Sequence, residues 1–401
     1  MAGLKFHART DVGLKRKQNE DSLLASEEYG LFVVADGVGG RKAGELASAI
    51  TVNTFQAYGP GLKEAVDHYS ADPNRETRNA VLQLLDEACN AASRRVYEAA
   101  SSTGRQGMTT TLVAAVVGGG AAFLGHVGDS RIYLLRDGVL KQLTEDHSMI
   151  NELIKSGMLA SADAAQSRYR NVITRAIGLY PTVRTDTMHV ELLDGDRLLL
   201  CSDGLHDMVP EPALTQMLGA KRLATGVDQL IQAALDGGGR DNVTVVVLEP
   251  DAMLEAETVA ARARAMETLF LFSDLPGPAR LRVGTIVSER FVGPNEVVVR
   301  QGEAGDTLFV VVQGEFGVCV NGKEINVLTA GEHFGELALV DSEPRSADIV
   351  AKGFGHLIGI DRAALQDFCL VEPALGNQLL WRLIATLGQR LRQANERLAR
   401  N

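Results

Sequence analysis

No run in this chain approaches the roughly 18 apolar residues that a membrane-spanning helix needs, and the first residues hold no apolar segment of the secretory kind. A cytoplasmic protein with no membrane partner is expected. Cysteine is scarce, with four in 401 residues. Cys89, Cys201, Cys319 and Cys369 form no CxxC pair and show no metal spacing, which excludes a disulfide framework and a thiolate zinc site and leaves reduced, buried thiols. Positive charge is in deficit: 40 Lys and Arg face 51 Asp and Glu, for a net charge of −11. A nucleic acid or an anionic membrane is a poor partner for such a surface. Long internal repeats and low-complexity tracts are missing too, which excludes a solenoid.

What is present is ordinary globular composition, 45% hydrophobic and 23% charged, in a chain long enough for about two or three domains. LKFHART and SLLASEEYGLFVVA alternate as short strands, Asp36 to Gly44 is a glycine-dense loop, and Ala43 to Ala57 reads as a helix. From Arg75 to Ser101 apolar residues recur at helical spacing. TTTLVAAVV, AAFLGHV and RIYLLRDGVLKQL follow as strands, and Glu145 to Ser156 is helical. Met158 to Tyr169 is polar and small and reads as a mobile flap, MHVELLDGDRLLLCSDG as a hairpin, Leu223 to Leu235 as a helix, and NVTVVVLEP as a buried strand. Strands with two long helices between them predict two packed sheets flanked by helices. Asp251 to Thr268 is rich in Ala, Glu and Arg and reads as a helical linker. Beyond it come short strands separated by Gly turns, the pattern of a jelly roll or barrel, and one amphipathic helix from Ala374 to Arg400. The expected division is residues 1–250, a linker at 251–268, and a second domain at 269–401.

Three Asp-containing turns carry the chemistry of the first part. Asp36 in VVADGVGG and Asp203 in LLLCSDGL end apolar strands, and Asp241 in GGGRDNVTVVV opens one. Stiff strand ends can aim carboxylates at a hard cation, and oxygen ligands without clustered His or Cys favour Mg²⁺ or Mn²⁺. TDVGLKRKQNEDS lies upstream, and GMTTTLVAAVV, GHVGDSRIY and RNVITRAIG lie between. In this order and spacing, the set resembles the metal-dependent protein Ser/Thr phosphatases of type 2C in their bacterial form, over roughly residues 4 to 250. The resemblance implies an αββα sandwich in an α+β chain. It also implies two Mg²⁺ or Mn²⁺ ions that activate one water for direct hydrolysis of phosphoserine or phosphothreonine in proteins. Carried over by position, Asp36 bridges both ions with the Gly37 carbonyl as a further ligand. Asp203 and Asp241 complete the second ion, and Asp129 with Asp203 forms a weaker third site. Glu20 and Asp21 hold waters on the metals, and Arg16 clamps phosphate. Val38 stands where animal members carry His, and Arg41 where bacterial members usually do. That leaves the proton donor to the leaving oxygen unassigned between a water on the metals and His126 or His147. The substrates implied are phosphorylated proteins, Ser/Thr kinases or their targets. A catalytically silent phosphoprotein-binding module is the alternative.

Residues 268 to 400 resemble a cyclic nucleotide-binding domain, most specifically in FGELALVDSEPRSADIV, Phe334 to Val350. Gly335, Glu336, Leu337 and Ala338 open a short helix whose N–H groups can receive a cyclic phosphate. By the resemblance, Arg345 pairs with the exocyclic oxygens, Glu336 accepts from the ribose 2′-OH, and Ser346 donates to phosphate or base. Ser346 fits cAMP and cGMP equally. Asp348 places a carboxylate where many members have a neutral residue, which is unfavourable near a phosphate. In the last helix Leu380, Ile384, Leu387, Leu391, Ala394 and Leu398 form a narrow apolar seam. It suits a homodimer, a lid over the nucleotide, or packing on the barrel. The whole reads as a phosphatase regulated by cAMP or cGMP, with a nucleotide-free dimerisation or targeting scaffold as the alternative for the second domain.

Overall fold

The computed structural model describes residues 4–39, 43–105, 107–155, 158–159, 172–249, 271–272, 275, 277–284, 286–341 and 343–400. Side chains of 155, 277, 278, 281, 389–391 and 393–400 lie outside that description. The linker at 251–268 and nearly all of the flap also fall outside it. The chain divides into two compact units, Met1–Leu254 and Glu255–Asn401.

The first unit is built on two antiparallel sheets. One has the strand order Lys5–Asp11, Val243–Glu249, Arg197–Cys201, Arg131–Arg136, Val139–Gln142. The other runs Asp21–Ser26, Leu31–Val38, Leu112–Gly118, Ala121–Val127, Asp186–Glu191, with Thr109–Thr110 paired to the end of Leu31–Val38. The central strand has no polar face because both its faces are covered. Leu31, Val33 and Ala35 pack towards the helices Ala43–Ala71 and Arg75–Thr103. Phe32 lies against Phe6 of the other sheet, with ring centroids 5.1 Å apart. Tyr133, Leu199 and Val245 of the first sheet pack outward against Leu214, Leu230 and Ile231 of the helices Glu211–Leu218 and Leu223–Asp236. The layers are therefore helix, sheet, sheet, helix.

Three elements differ from the sequence reading. The helix beginning at Ala43 does not stop at Ala57 but continues to Ala71 through Pro60. Leu62, Val66 and Tyr69 are buried on the same core as Phe55, and that burial outweighs the hydrogen bond the proline removes. Gly59 permits the close approach, since a Cβ there would lie 2.4 Å from the Tyr29 ring. The supposed hairpin at Met188–Gly204 is not one. Asp186–Glu191 pairs with Ala121–Val127 in one sheet, and Arg197–Cys201 pairs with Arg131–Arg136 in the other. Leu192 and Leu193 are buried at the crossing. Asp196, 1% exposed, accepts both arms of Arg136 at 2.9 and 2.6 Å and the Leu193 N–H at 2.8 Å. The helix expected over Glu145–Ser156 starts only at Met149, because Ser148 is bridged to Ile173 and the His147 carbonyl accepts the Thr174 N–H.

The second unit holds two four-stranded antiparallel sheets. One is ordered Val287–Val292, Gly355–Asp361, Thr307–Gln313, His333–Phe334. The other is ordered Val297–Val299, Asp348–Ala351, Phe316–Val320, Lys323–Leu328. It is a jelly-roll barrel with flanking helices Gly277–Gly284, Arg362–Val371 and Pro373–Arg400. Leu375, Leu379 and Leu383 of the last helix are buried, and Leu387 of the predicted seam packs against the same core, whereas Leu380 and Ile384 of that seam are exposed beside Trp381. The inward stripe has period four. The seam of Leu380 and Ile384 is thus not what binds this helix to its own barrel. Leu391, Ala394 and Leu398 lie among the undescribed side chains.

In the first unit, Gly37 at a strand end and Gly44 at a helix start meet backbone to backbone. A Cβ on Gly44 would lie 2.6 Å from the Gly37 oxygen and 3.1 Å from Glu20 Cδ. Gly44→Ala is expected to cost about 1–3 kcal/mol by overpacking, read as a lowered urea midpoint of the first unit; an unchanged midpoint would show that this junction is not tight.

Candidate functional site

The carboxylates named from the sequence converge at one end of the sandwich. Asp36 ends the strand Leu31–Val38 and pairs in register with Asp21 on Asp21–Ser26. Its N–H donates to Thr111 Oγ1 at 3.1 Å, and its carbonyl accepts from Thr111 N at 2.8 Å and Thr110 Oγ1 at 2.7 Å. Thr111 Oγ1 in turn meets Ser130 Oγ at 2.7 Å, beside Asp129. Asp203 opens the short helix Asp203–His206 at the end of Arg197–Cys201. Ser202 and Thr244 both donate to Asp21 Oδ2, at 2.8 and 2.7 Å.

Asn242 ties in the remaining loop. Its amide donates to the carbonyls of Val12 and Gln18, and its oxygen accepts the Glu20 N–H. The loop bearing Arg16 is thereby held over Asp241, whose Oδ2 accepts Arg16 NH2 at 2.6 Å. Gly13 has φ +76, and a Cβ there would lie 2.2 Å from the Asp241 carbonyl oxygen, so this contact admits only glycine. Thr110, Thr111, Ser130, Ser202, Asn242 and Thr244 were not singled out from sequence. Each sits within three residues of an Asp that was, or in the TTT run, and that adjacency was the available signal.

Packed this way, the carboxylates oppose one another. Burial first, then Asp21, Asp203, Asp129 and Asp241, holds the Asp36 carboxyl well above the usual range. Burial, with Asp129 and Asp241 next, pushes Asp203 up to about 8. Burial and then Asp146 bring Asp129 to about 6. Asp21 also reaches about 6 through burial, in spite of its two hydroxyl donors. Asp21 Oδ1 and Asp203 Oδ1 are buried without any hydrogen-bond partner. Buried, unpartnered carboxylate oxygens converging in a small volume fit divalent cations, which remove both the desolvation cost and the mutual repulsion.

The second unit contains a cavity of about 750 Å³ lined by Gly335, Glu336, Leu337, Ala338, Arg345 and Ser346, all six positions named from sequence. Asn326, Glu332 and His333 line it as well and carried no sequence signal of their own. Gly335 caps the one-turn 3₁₀ helix Glu336–Leu339 with φ 77. Arg345 NH2 donates to the Thr307 carbonyl at 2.9 Å, while its Nε and NH1 are buried with no partner. Burial lowers its pKa. A Cβ at Gly335 would lie 2.3 Å from NH1, and one at Gly305 2.0 Å from Nε, so two glycines make room for the guanidinium. Such a desolvated cation calls for an anion. Asp348 is not on the cavity wall: its Oδ1 accepts the Gln301 N–H at 2.7 Å, which answers the expected repulsion.

The sequence from residue 15 to residue 237, more than half the chain, matches the model of the protein phosphatase 2C family. The chain belongs to that family. The phosphatase is 37% identical over 247 residues to the serine/threonine phosphatase stp of Listeria monocytogenes, covering 61% of this chain and 94% of the relative. It is similar to the crystal structure of the Mycobacterium tuberculosis serine/threonine phosphatase PstP/Ppp, with a TM-score of 0.55 and 36% identity over 62% of this chain and 99% of that one. The catalytic domain of PstP in complex with 2 manganese ions gives a TM-score of 0.53 at 36% identity, over 61% of this chain and 97% of that one. Residues 289–371 match the cyclic nucleotide-binding domain model. The protein is therefore a Ser/Thr phosphatase of the metal-dependent type with a cyclic nucleotide-binding fold behind it, and no described helix is long and apolar enough to cross a membrane.

Two other features of the phosphatase bear on the site. Val38 is 43% exposed at its mouth, and Arg41 lies outside the described residues. His126 and His147 are enclosed, at 1% and 7% exposure, and burial lowers His126 to about 3. Neither is an accessible proton donor. With Asp186 they form the one group of three ligand-type side chains within 4.8 Å of one another among the described residues. His147 Nδ1 accepts the Gly128 N–H at 3.1 Å, so Nε2 carries the proton and donates to Asp186 Oδ2 at 3.2 Å. That leaves no ring lone pair for an ion on His147, whereas both ring nitrogens of His126 are buried without a hydrogen-bond partner.

Carboxyl pKa values raised above their unfolded values mean that the folded protein binds more protons between about pH 4 and pH 8, so metal-free stability falls as pH rises through that window. In EDTA the melting temperature of the first unit is expected to drop between pH 5 and pH 8. With saturating Mn²⁺ the drop should vanish; a drop of equal size in both would show that the cluster is not where cations bind.

Proposed function

We propose that the phosphatase hydrolyses phosphoserine and phosphothreonine in proteins at the Asp cluster, and that a cyclic nucleotide, cAMP or cGMP, in the Arg345 cavity regulates it. The observation that carries the first part is the set of buried, unpartnered oxygens on Asp21 and Asp203 beside a strongly raised Asp36. Asp36, the Gly37 carbonyl, Asp203 and Asp241 would hold two Mg²⁺ or Mn²⁺ ions, with Glu20 and Asp21 beside them and Asp129 with Asp203 at a weaker third position. When bound, such ions supply a water activated at neutral pH and charge stabilisation at phosphorus. The chain's own part is placement. Thr110 and Thr111 fix the Asp36 backbone, Ser202 and Thr244 orient Asp21, and Asn242 holds the Arg16 loop. Arg16 is half exposed at the rim, where a guanidinium fork can take two phosphoryl oxygens. Its contact with Asp241 shows how near the cluster that fork reaches. The open rim suits a phosphorylated segment of another protein, such as a Ser/Thr kinase or a kinase target.

For the second part, the supporting observation is Arg345, a half-buried cation whose Nε and NH1 are buried without partners at the wall of a cavity large enough for a nucleotide. Glu336, 6% exposed on the same wall, is suited to a ribose hydroxyl. A second reading, of a nucleotide-free dimerisation or targeting module, is favoured by Leu380, Trp381 and Ile384, which leave an apolar strip exposed on the last helix. That strip also suits a homodimer of the nucleotide-binding form.

Asp203→Ala is expected to reduce Mn²⁺-dependent hydrolysis of a phosphothreonine peptide to background; retained turnover would remove the metal assignment. Adding cAMP or cGMP to the full chain is expected to raise the melting temperature of the second unit and to change peptide turnover. Arg345→Ala should weaken that binding by about 2 kcal/mol or more. No thermal shift with either nucleotide in the wild type would favour the scaffold reading.

A further inference from the structure

Asp129 is carried on a sharp turn between the strands Ala121–Val127 and Arg131–Arg136, with Gly128 at φ +108. Its side chain is half-buried, and like charge gives it no reason to approach Asp203. Two imidazoles grip the backbone on either side. His147 Nδ1 accepts the Gly128 N–H at 3.1 Å. His206 Nε2 lies 3.1 Å from the Asp129 carbonyl oxygen, and an imidazole nitrogen facing a carbonyl must be the donor. Both rings are thus the Nε2–H tautomer used from opposite ends: His147 accepts through Nδ1 and His206 donates through Nε2.

Each ring is fixed from behind or by burial. Asp186 Oδ2 accepts the His147 Nε2 proton at 3.2 Å, and Arg175 NH1 donates to Asp186 Oδ1 at 2.9 Å. Arg175 NH1 also lies 3.1 Å from Nε2, but a nitrogen that carries the proton does not accept from it. His126 stacks on His147 with centroids 4.6 Å apart and an angle of 27°. His206 has a side chain only 4% exposed and belongs to the helix that Asp203 opens. The His206 bond therefore ties the turn of Asp129 directly to the element that positions Asp203.

We propose that His147 and His206 are positioning residues that clamp the Asp129 turn and set its carboxylate against Asp203, tuning the weaker cation position that the two would share. This rests on the reading of Asp129 as a ligand. Neither histidine touches substrate in this account. The arrangement is an outer shell acting through backbone atoms on both sides of one ligand.

The geometry makes the two histidines respond oppositely to the two amide side chains. Gln places its amide nitrogen about where Nε2 lies, and Asn places its amide oxygen about where Nδ1 lies. Mn²⁺ is titrated by calorimetry into the full-length wild type, His206→Gln, His206→Asn, His147→Asn, His147→Gln and Asp129→Ala. Wild type should show tight binding followed by a weaker event that Asp129→Ala lacks. His206→Gln and His147→Asn should keep most of the weak-site affinity. His206→Asn and His147→Gln should lose about tenfold or more, with the tight events unmoved. A role in packing alone would not invert the preferred amide between two buried sites. Either pair is sufficient by itself if a variant at the other position does not fold. Equal weak-site affinity within both pairs overturns the clamp. A weak event that survives in Asp129→Ala overturns the reading of Asp129 instead, and the clamp falls with it.

Discussion

The mutual repulsion of buried carboxylates is the constraint around which the first unit is arranged. Asp21, Asp36, Asp129 and Asp203 are held close in a region of low dielectric, where each raises the cost of ionising the next. A chain does not gather such groups for stability. Their convergence is sustained by parts with no charge at all: the threonine and serine hydroxyls behind Asp21 and Asp36, the Asn242 amide, and glycines at 13, 37 and 44 that let backbones touch. Covered on both faces, the two sheets supply the rigidity against which this repulsion is stored. A divalent cation releases it, so the energy spent in folding reappears as affinity for the ion.

The second unit meets the same problem with the sign reversed. Arg345 is half-buried and its side chain is given one carbonyl, leaving two buried nitrogens unmatched on a cavity wall. Here too glycines do the fitting, at 305 and 335. One unit concentrates carboxylates, and the other sets a half-buried guanidinium on a cavity wall.

Much of this was legible in the sequence because it depends on residues whose chemistry is local. Asp-Gly turns at strand ends, the GDSR turn and the FGELAL segment announce themselves through type and order. The elements that misled were those decided by distant packing. Pro60 signals a helix end, yet Leu62, Val66 and Tyr69 find the core and carry the helix past it. Met188–Gly204 has hairpin composition, but nothing local in it reveals that its two strands pair with different partners. The hydroxyls and amide that orient the carboxylates were equally silent, since Ser, Thr and Asn are common beside turns and only the fold brings Ser202 to Asp21. In the last helix the spacing of Leu380 and Ile384 was read correctly as apolar periodicity, but a second stripe one residue earlier is the one that meets the barrel.

That crossing at Leu192–Asp196 has a consequence for how the first unit comes apart. A sandwich whose sheets were each drawn from a continuous stretch could lose one layer and keep the other. Here the chain passes from layer to layer at a buried corner fastened by the Arg136–Asp196 pair, and the outermost strand, Lys5–Asp11, pairs with the last one, Val243–Glu249. Neither layer owns a segment it could shed. Peeling either sheet drags on the other, so the two are expected to melt as one cooperative body, and the ligand turns at their shared end open together or not at all.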